Sequence, residues 1–264
     1  LHDRAMPLRE LALPGPVADR LAAAAARPEG VILLTGPCGS GKTTTLYALL
    51  REILRSPAGG RRHVVTVEDP VEQVLPGVTQ VQVNPHVGLT FGSALRSLLR
   101  QDPDVILIGE IRDEETAATA VEAGLTGHLV ISTVHASSAH GVVARLLEMG
   151  VKRYVLGPAL SCVLAQRLLR VRCHDCRPGG GEAGNAAFPA CGACQGTGYR
   201  GRRVVAEFLE ATPSLRAAIA GGAGEGELLA SARAQPGWIS LRDAAEALVR
   251  EGVTAPEEVR RVLG

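Results

Sequence analysis

The residues most suited to chemistry form a glycine-rich segment near the start of the chain. Residues 36–43 read GPCGSGKT, which fits the pattern G-x-x-x-x-G-K-[ST] of a phosphate-binding loop. An apolar run at 31–34 precedes the segment, and apolar residues recur at helical spacing from Leu46 to Leu54. A strand, a glycine loop and a helix in this order point backbone N–H groups and the positive end of the helix at an anion. The sequence therefore predicts a site for a nucleoside triphosphate.

Each residue type in this segment has a chemical reason. Glycine lets the backbone approach phosphate oxygens, Lys42 can reach the outer phosphates, and the Thr43 hydroxyl is placed to ligate Mg²⁺. The residues predicted to bind the nucleotide are Gly36, Pro37, Cys38, Gly39, Ser40, Gly41, Lys42, Thr43 and Thr44.

Carboxylates follow two other apolar runs. Glu110 follows the run at 105–108, and Glu68 and Asp69 follow a short strand predicted at 64–67. Parallel sheets bind ligands at the carboxyl ends of their strands. We expect Glu110 to be the catalytic base that orients water, and Glu68 or Asp69 to contact Mg²⁺ or position water. A plain turn is the alternative for the second pair, because Asp-Pro begins turns well.

Histidine and arginine residues complete the predicted site. His135 follows the strand predicted at 129–132 and is placed to sense the outer phosphate. His128 lies at the opposite end of that strand, so we expect a structural role or a subunit contact. A guanidinium can neutralise the charge that builds during phosphoryl transfer. The candidates are Arg96, Arg100, Arg112 and Arg145.

Four cysteines form two C-x-x-C pairs, 14 residues apart, at Cys173, Cys176, Cys191 and Cys194. Two C-x-x-C pairs at this spacing suit a tetrahedral Zn²⁺ site with four thiolates. Such a site has no open position, so its role is structural. Disulfides are the alternative, but they are rare in a reducing compartment. Cys162 lies in an apolar pattern that we interpret as helical, so it is expected to be a buried thiol.

Apolar runs alternate with helical patterns along most of the chain, which predicts an α/β fold with a mainly parallel sheet. The predicted strands are 31–35, 64–67, 81–83, 105–108 and 129–132, and the predicted helices are 43–55, 92–100, 114–123, 139–148 and 155–169. The predicted domains are a linker or tail at 1–28, the core at 29–170, the cysteine element at 171–203 and a small helical subdomain at 204–264.

Composition excludes several function classes. The chain has 264 residues, a net charge of +1 and 3% aromatic residues, so no nucleic-acid partner is expected. No apolar stretch reaches the roughly 18 residues that indicate a membrane span, and no signal peptide is evident. We therefore expect a cytoplasmic protein that can still dock on a membrane complex. The first residue is not Met, which suggests a fragment of a longer chain.

Together these segments resemble the type II secretion and type IV pilus assembly ATPases, above all the general secretion pathway protein E family. The matching text includes GPCGSGKTTTLYALL at 36–50, TVEDPVE at 66–72, DPDVILIGEIRDEETA at 102–117, GLTGHLVISTVHAS at 124–137 and CGACQGTGYRGR at 191–202. Two departures are Cys38 in place of Thr and Ala136-Ser137 in place of Thr-Asn.

The resemblance implies a RecA-like P-loop NTPase core that uses ATP and Mg²⁺. It implies that Glu110 is the catalytic glutamate, that Glu68 and His135 line the site, and that the four cysteines hold zinc. It further implies a homohexamer, peripheral to the inner membrane, that powers protein secretion through pseudopilus assembly with membrane platform proteins. A preceding domain that supplies nucleotide contacts and platform docking is expected to be missing here, apart from residues 1–28.

Several other functions stay open. One is a type IV pilus assembly or DNA-uptake ATPase, and another is a nucleic-acid translocase on the same core. A small-molecule kinase with a zinc-held lid and a zinc-based chaperone module are weaker alternatives.

Overall fold

A parallel sheet forms the centre of the computed structural model, which describes residues 7–56, 62–175 and 191–264. Its strands are β1 (Gly30–Thr35), β2 (Val64–Glu68), β3 (Val78–Gln82), β4 (Val105–Ile111), β5 (Leu129–Val134), β6 (Leu160–Arg172) and β7 (Tyr199–Glu210). Their order across the sheet is β3-β2-β4-β5-β1-β6-β7. Neighbouring strands are parallel, except that β7 runs antiparallel to β6. The predicted α/β fold with a mainly parallel sheet is confirmed.

Helices cover both faces of this sheet. They are α1 (Gly15–Ala25), α2 (Lys42–Arg55), α3 (Phe91–Leu98), α4 (Glu114–Leu125), α5 (Ala139–Glu148), α6 (Arg153–Ala159), α7 (Pro213–Gly221), α8 (Glu225–Arg233), α9 (Leu241–Arg250) and α10 (Pro256–Leu263). Side-chain caps start several of them: Asp113 accepts a hydrogen bond from the Thr116 N–H at α4, and Ser138 accepts one from the Gly141 N–H at α5. Within the described ranges, no helix has both the length and the apolar character needed to cross a membrane.

Two apolar clusters lie on opposite faces of the sheet. Along β1, Val31 and Leu33 belong to one cluster, and Ile32 and Leu34 belong to the other. Because both faces are covered, the central strands read as continuous apolar runs instead of alternating patterns. The sheet is therefore a rigid support whose strand ends carry polar side chains.

The prediction of a helix at 155–169 is wrong. The structure has a short helix that ends at Ala159, followed by the long strand β6, so Cys162 lies in a strand. Gly157 and Pro158 end the helix, and periodicity alone does not separate a strand buried on both faces from a buried helix.

Two further differences concern strands. The strand predicted at 81–83 lies at Val78–Gln82, and residues 204–210, predicted within a helical subdomain, belong to β7. Strands β6 and β7 run across the predicted boundaries at 170/171 and 203/204. Helices do follow β7, and their buried residues, including Leu215 and Leu241, belong to the same apolar cluster as the sheet.

Candidate active site

The glycine-rich loop connects the end of β1 with the start of α2, as the motif requires. Gly36 has φ +149°, and a Cβ there would lie 2.5 Å from the Gln166 carbonyl oxygen, so no larger residue fits without a shift. The Lys42 ammonium donates to the carbonyl oxygens of Gly36 at 2.7 Å and Pro37 at 3.0 Å. Burial lowers the pKa of Lys42. The Lys42 ammonium therefore bridges two carbonyl groups at the start of the loop.

A cavity of about 350 Å³ opens beside this loop. Its lining includes the polar side chains Cys38, Lys42, Thr43, Glu68, Asp69, Glu72, Glu110, Arg112, Thr133 and His135. These residues come from the phosphate loop and from the carboxyl ends of β2, β4 and β5. Thr44 is not part of the lining, and Ser40 is buried within the loop. Folding thus brings Glu110, Glu68, His135 and Arg112 around one cavity with Lys42 and Thr43.

Glu110 lies near the end of β4 with both carboxylate oxygens engaged. Arg112 donates a hydrogen bond to Oε1, and His135 Nε2 lies 3.4 Å from Oε2. The hydrogen bond from Arg112 lowers the pKa of Glu110, against the effect of partial burial. The side chain is therefore a carboxylate at neutral pH, which is the form that accepts a proton.

Glu68 differs, because its carboxylate is buried and surrounded by donors. It is 4% exposed and accepts hydrogen bonds from the Tyr47 hydroxyl, from Thr66 Oγ1 at 2.6 Å and from Gln80 Nε2 at 3.0 Å. The Tyr47 oxygen in turn accepts from the Gln73 N–H at 3.3 Å. Burial, together with the bond to Glu68, raises the pKa of Tyr47 to about 12, so the phenol keeps its proton. This carboxylate joins side chains of α2, β2 and β3, while its neighbour Asp69 is exposed in the cavity wall.

Of the four candidate arginines, only Arg112 lines this cavity. Arg96 pairs with Glu115, and Arg145 lies 3.3 Å from Glu148 on the same helix. His128 Nδ1 lies 3.1 Å from the Ala123 carbonyl oxygen, at the amino end of β5 and away from the cavity. This contact agrees with the structural role expected for His128.

Sequence reasoning missed two side chains that support the site, Tyr47 and Gln166. Tyr47 lies within the apolar face of α2 and reads as a core residue. Gln166 is a polar residue inside an apolar run, which was the available signal, and it is only 1% exposed. A buried amide needs hydrogen-bond partners, and Gln166 finds them on the phosphate loop.

Three cysteines meet at the end of the β6–β7 pair. The Sγ atoms of Cys173, Cys191 and Cys194 lie within 4.8 Å of one another, with 4.0 Å between Cys173 and Cys191. That separation is about twice the length of a disulfide bond. Cys176, the fourth predicted ligand, lies outside the described residues. Cys173 thus lies beside both thiols of the second pair, Cys191 and Cys194.

The family described as type II/IV secretion system protein matches residues 3–261. Type II secretion system protein HxcR of Pseudomonas aeruginosa is 47% identical over 236 residues, which cover 89% of this chain and 49% of that protein. Type II secretion system ATPase E of Vibrio cholerae is 45% identical over 251 residues, with the same two coverages. The chain thus spans about half the length of these curated relatives.

Solved structures show the same core. The pilus retraction motor PilT with bound ADP superposes with a TM-score of 0.77 at 29% identity, over 99% of this chain and 68% of PilT. The Legionella pneumophila ATPase DotB superposes with a TM-score of 0.73 at 23% identity, over 98% of this chain and 65% of DotB, which shows a common fold. The match across nearly the whole sequence, together with the phosphate loop and the carboxylates around one cavity, makes this chain a member of the type II/IV secretion system protein family.

Proposed function

We propose that the chain is the ATP-hydrolysing part of a motor that powers type II protein secretion. The observation that carries the proposal is the cavity in which the Glu110 carboxylate shares a wall with Lys42 and Thr43. Relatives at 45–47% identity are named for type II secretion, whereas the pilus motor superposes at 29% identity. This difference favours secretion over pilus retraction.

The chemistry is attack of water on the terminal phosphate of ATP. A bond forms between the water oxygen and the γ-phosphorus, the bond from that phosphorus to the bridging oxygen breaks, and ADP and phosphate leave. Glu110 orients the water and takes its proton. Lys42 leaves the carbonyls of Gly36 and Pro37 to meet phosphate oxygens, and Arg112 neutralises charge on the transferred group.

The cavity offers oxygen ligands of the kind that Mg²⁺ prefers, namely the Thr43 hydroxyl and the Asp69 carboxylate. When bound, the ion neutralises phosphate charge. Thr43 and Asp69 would hold the ion, whereas the carboxylate oxygens of Glu68 are occupied by donors of the protein.

The test of this function is Glu110→Gln. The variant should bind a fluorescent ATP analogue with unchanged affinity and release phosphate at least 100-fold more slowly, because an amide cannot accept the proton. Glu122→Gln, an exposed change on α4, is the matched control and should keep wild-type turnover. Normal phosphate release by Glu110→Gln would refute the assignment of the base.

We propose a structural Zn²⁺ site at the cysteine cluster, held by Cys173, Cys176, Cys191 and Cys194. Tetrahedral Zn–S bonds of about 2.3 Å place sulfurs about 3.8 Å apart, and the Cys173–Cys191 separation of 4.0 Å supports that geometry. Metal analysis should find one Zn per chain, and Cys191→Ser should reduce the content and lower the melting temperature. Clearly less than one Zn in the unaltered chain would contradict the site.

We infer that the chain works in a homohexamer in the cytoplasm, on the inner membrane, with platform proteins of the secretion machine and without nucleic acid. The names of the relatives support a place in type II secretion, and the rest of this setting is proposed from the resemblance to that family. A decisive experiment replaces the matching segment of the Vibrio cholerae relative with this chain. The chimera should restore secretion, and light scattering should show hexamers. DNA should not stimulate ATP hydrolysis; stimulation by DNA would favour the translocase alternative.

A further inference from the structure

We propose that Gln166 is a positioning residue that shapes the phosphate loop for the triphosphate. The inference rests on the proposed function and adds a residue from β6, a strand that contributes no side chain to the motifs of the site. Gln166 is 1% exposed and directly follows the buried apolar run at 162–165 of β6. A polar side chain in that environment is stable only if its amide is fully hydrogen-bonded.

Both the nitrogen and the oxygen of the Gln166 amide form hydrogen bonds with the segment that contains the phosphate loop. Nε2 donates to the carbonyl oxygen of Ser40 at 2.8 Å, and Oε1 accepts from Thr45 Oγ1 at 3.0 Å. The orientation of the amide is fixed, because the Ser40 carbonyl can only accept. One partner is in the loop and the other is in the first turn of α2, so a single amide joins β6 to both.

The loop also packs directly on this residue. A Cβ on Gly36 would lie 2.5 Å from the Gln166 carbonyl oxygen, and one on Gly41 would lie 3.1 Å from Gln166 Nε2. Gly36 and Gly41 are the first and last glycines of the loop. The two glycines have the positive φ angles that the loop needs, and they also let the loop backbone approach β6 closely. Gln166 therefore lies against both the first and the last glycine of the loop.

The next residue extends the support to β5. Arg167 is 8% exposed, and its guanidinium donates to the Gln166 carbonyl at 3.0 Å and to the Ser137 carbonyl at 2.8 Å. Ser137 is two residues beyond His135. Strand β6 thus fixes the phosphate loop and the His135 segment relative to each other.

Loss of the amide should affect binding more than chemistry. Without Gln166 the Ser40 carbonyl loses its bond to Nε2, and the Thr45 hydroxyl keeps only the Gly41 carbonyl, at 3.2 Å. The loop must then be ordered when the nucleotide binds. We expect the Kd for ATP and the KM to rise about tenfold, the effect of one or two lost hydrogen bonds. The kcat should stay within about twofold, because Glu110, Arg112 and His135 keep their contacts.

Gln235 provides a matched control. It is 6% exposed, accepts from the Glu210 N–H at 3.0 Å and donates to the Glu210 carbonyl at 2.8 Å, with no contact to the loop. Gln166→Ala and Gln235→Ala each remove one buried amide with two hydrogen bonds. Both should lower the melting temperature by a similar amount, which separates loss of stability from loss of positioning.

The experiment measures the Kd for fluorescent ATP, the KM, the kcat and the melting temperature of the unaltered chain and both variants. A rise in Kd and KM in Gln166→Ala alone supports the proposal. Wild-type affinity in Gln166→Ala, or an equal loss in Gln235→Ala, overturns it. Should Gln166→Ala fail to fold, Thr45→Val removes the bond to Gln166 together with the contact to the Gly41 carbonyl, and it should raise the Kd about threefold. An unchanged Kd in that variant overturns the proposal. Absence of ATP binding by the unaltered chain would refute the proposed function itself.

Discussion

A buried carboxylate ties α10 to β6, and its removal gives a pH-dependent prediction. The Glu258 side chain is fully buried and accepts hydrogen bonds from the Arg170 N–H and Nε, both at 2.9 Å. It also accepts from Arg261 Nε at 2.7 Å and Nη2 at 2.6 Å. Because Arg170 lies only four residues beyond Gln166 on the same strand, this cluster also supports the strand beneath the phosphate loop.

The magnitude follows from the pKa of Glu258. Burial acts to raise the pKa of this carboxyl, but the hydrogen bonds from Arg261 and Arg170 outweigh it and lower the pKa from 4.5 to about 2. A lowered pKa in the folded state stabilises the protein above the unfolded value, and the stabilisation is lost as the pH falls from about 4.5 to about 2. The shift corresponds to at most roughly 3 kcal/mol. The Arg170 and Arg261 side chains are 41% and 55% exposed, so solvent screening reduces this to about 1–2 kcal/mol.

The assay is urea unfolding of the wild type, Glu258→Gln and the exposed control Glu251→Gln at pH 7, 5 and 3. At pH 7 Glu258→Gln should be less stable than the wild type by about 1–2 kcal/mol. The difference should shrink by pH 3, because the wild type loses this contribution there, whereas Glu251→Gln should follow the wild type throughout. A difference that stays constant from pH 7 to pH 3, or no difference at pH 7, would refute the reasoning.

The remaining predictions concern the cavity. Tyr47→Phe removes a donor to the buried Glu68 and should lower the free energy of unfolding by about 1–2 kcal/mol in urea; wild-type stability would show that the bond is dispensable. Arg112→Gln removes the hydrogen bond that lowers the pKa of Glu110, so that pKa should rise and the acid limb of the phosphate-release profile should move to higher pH. An unmoved limb would mean that another group controls it. Lys42→Ala should weaken ATP binding at least 100-fold in a fluorescence titration, and retained affinity would contradict the assignment of the loop.

The sequence was sufficient to predict the parts of the site that are encoded locally. The phosphate loop and the carboxylate Glu110 each follow an apolar run within a few residues, and parallel strands bring such ends together. The same local pattern could not show that the Glu68 carboxylate is buried and occupied while Asp69 is exposed, because both are acidic residues at the end of one strand. The difference comes from Tyr47 and Gln80, which lie 21 and 12 residues from Glu68 and occupy its oxygens.

Local sequence patterns could not predict strand β6 or the contacts of Gln166, for two physical reasons. A strand buried on both faces has no period-2 pattern, so its apolar run at 160–165 read as part of a helix. The partners of Gln166 are Ser40 and Thr45, which are 126 and 121 residues away in the sequence. Only the β1–β6 pairing shows that this polar residue lies beneath the loop.

The hydrogen bonds hold the backbone around the cavity at several points, but they hold the exposed side chain of Arg112 at only one. Thr35 Oγ1 bonds to both the carbonyl and the N–H of Ala136, at 2.8 and 3.0 Å, and Gln166 holds the loop, so the backbone around the cavity is fixed. Arg112 is 59% exposed and is held by the Glu110 carboxylate alone among the contacts described for its side chain. An ionised carboxylate offers about four acceptor sites, so Glu110 can accept from a water molecule while Arg112 stays bound to Oε1. In the proposed reaction a triphosphate would attract the same guanidinium, and any weakening of its bond to Glu110 would raise the pKa of that carboxyl. Binding of the anion and the pKa of Glu110 would then be linked through one arginine.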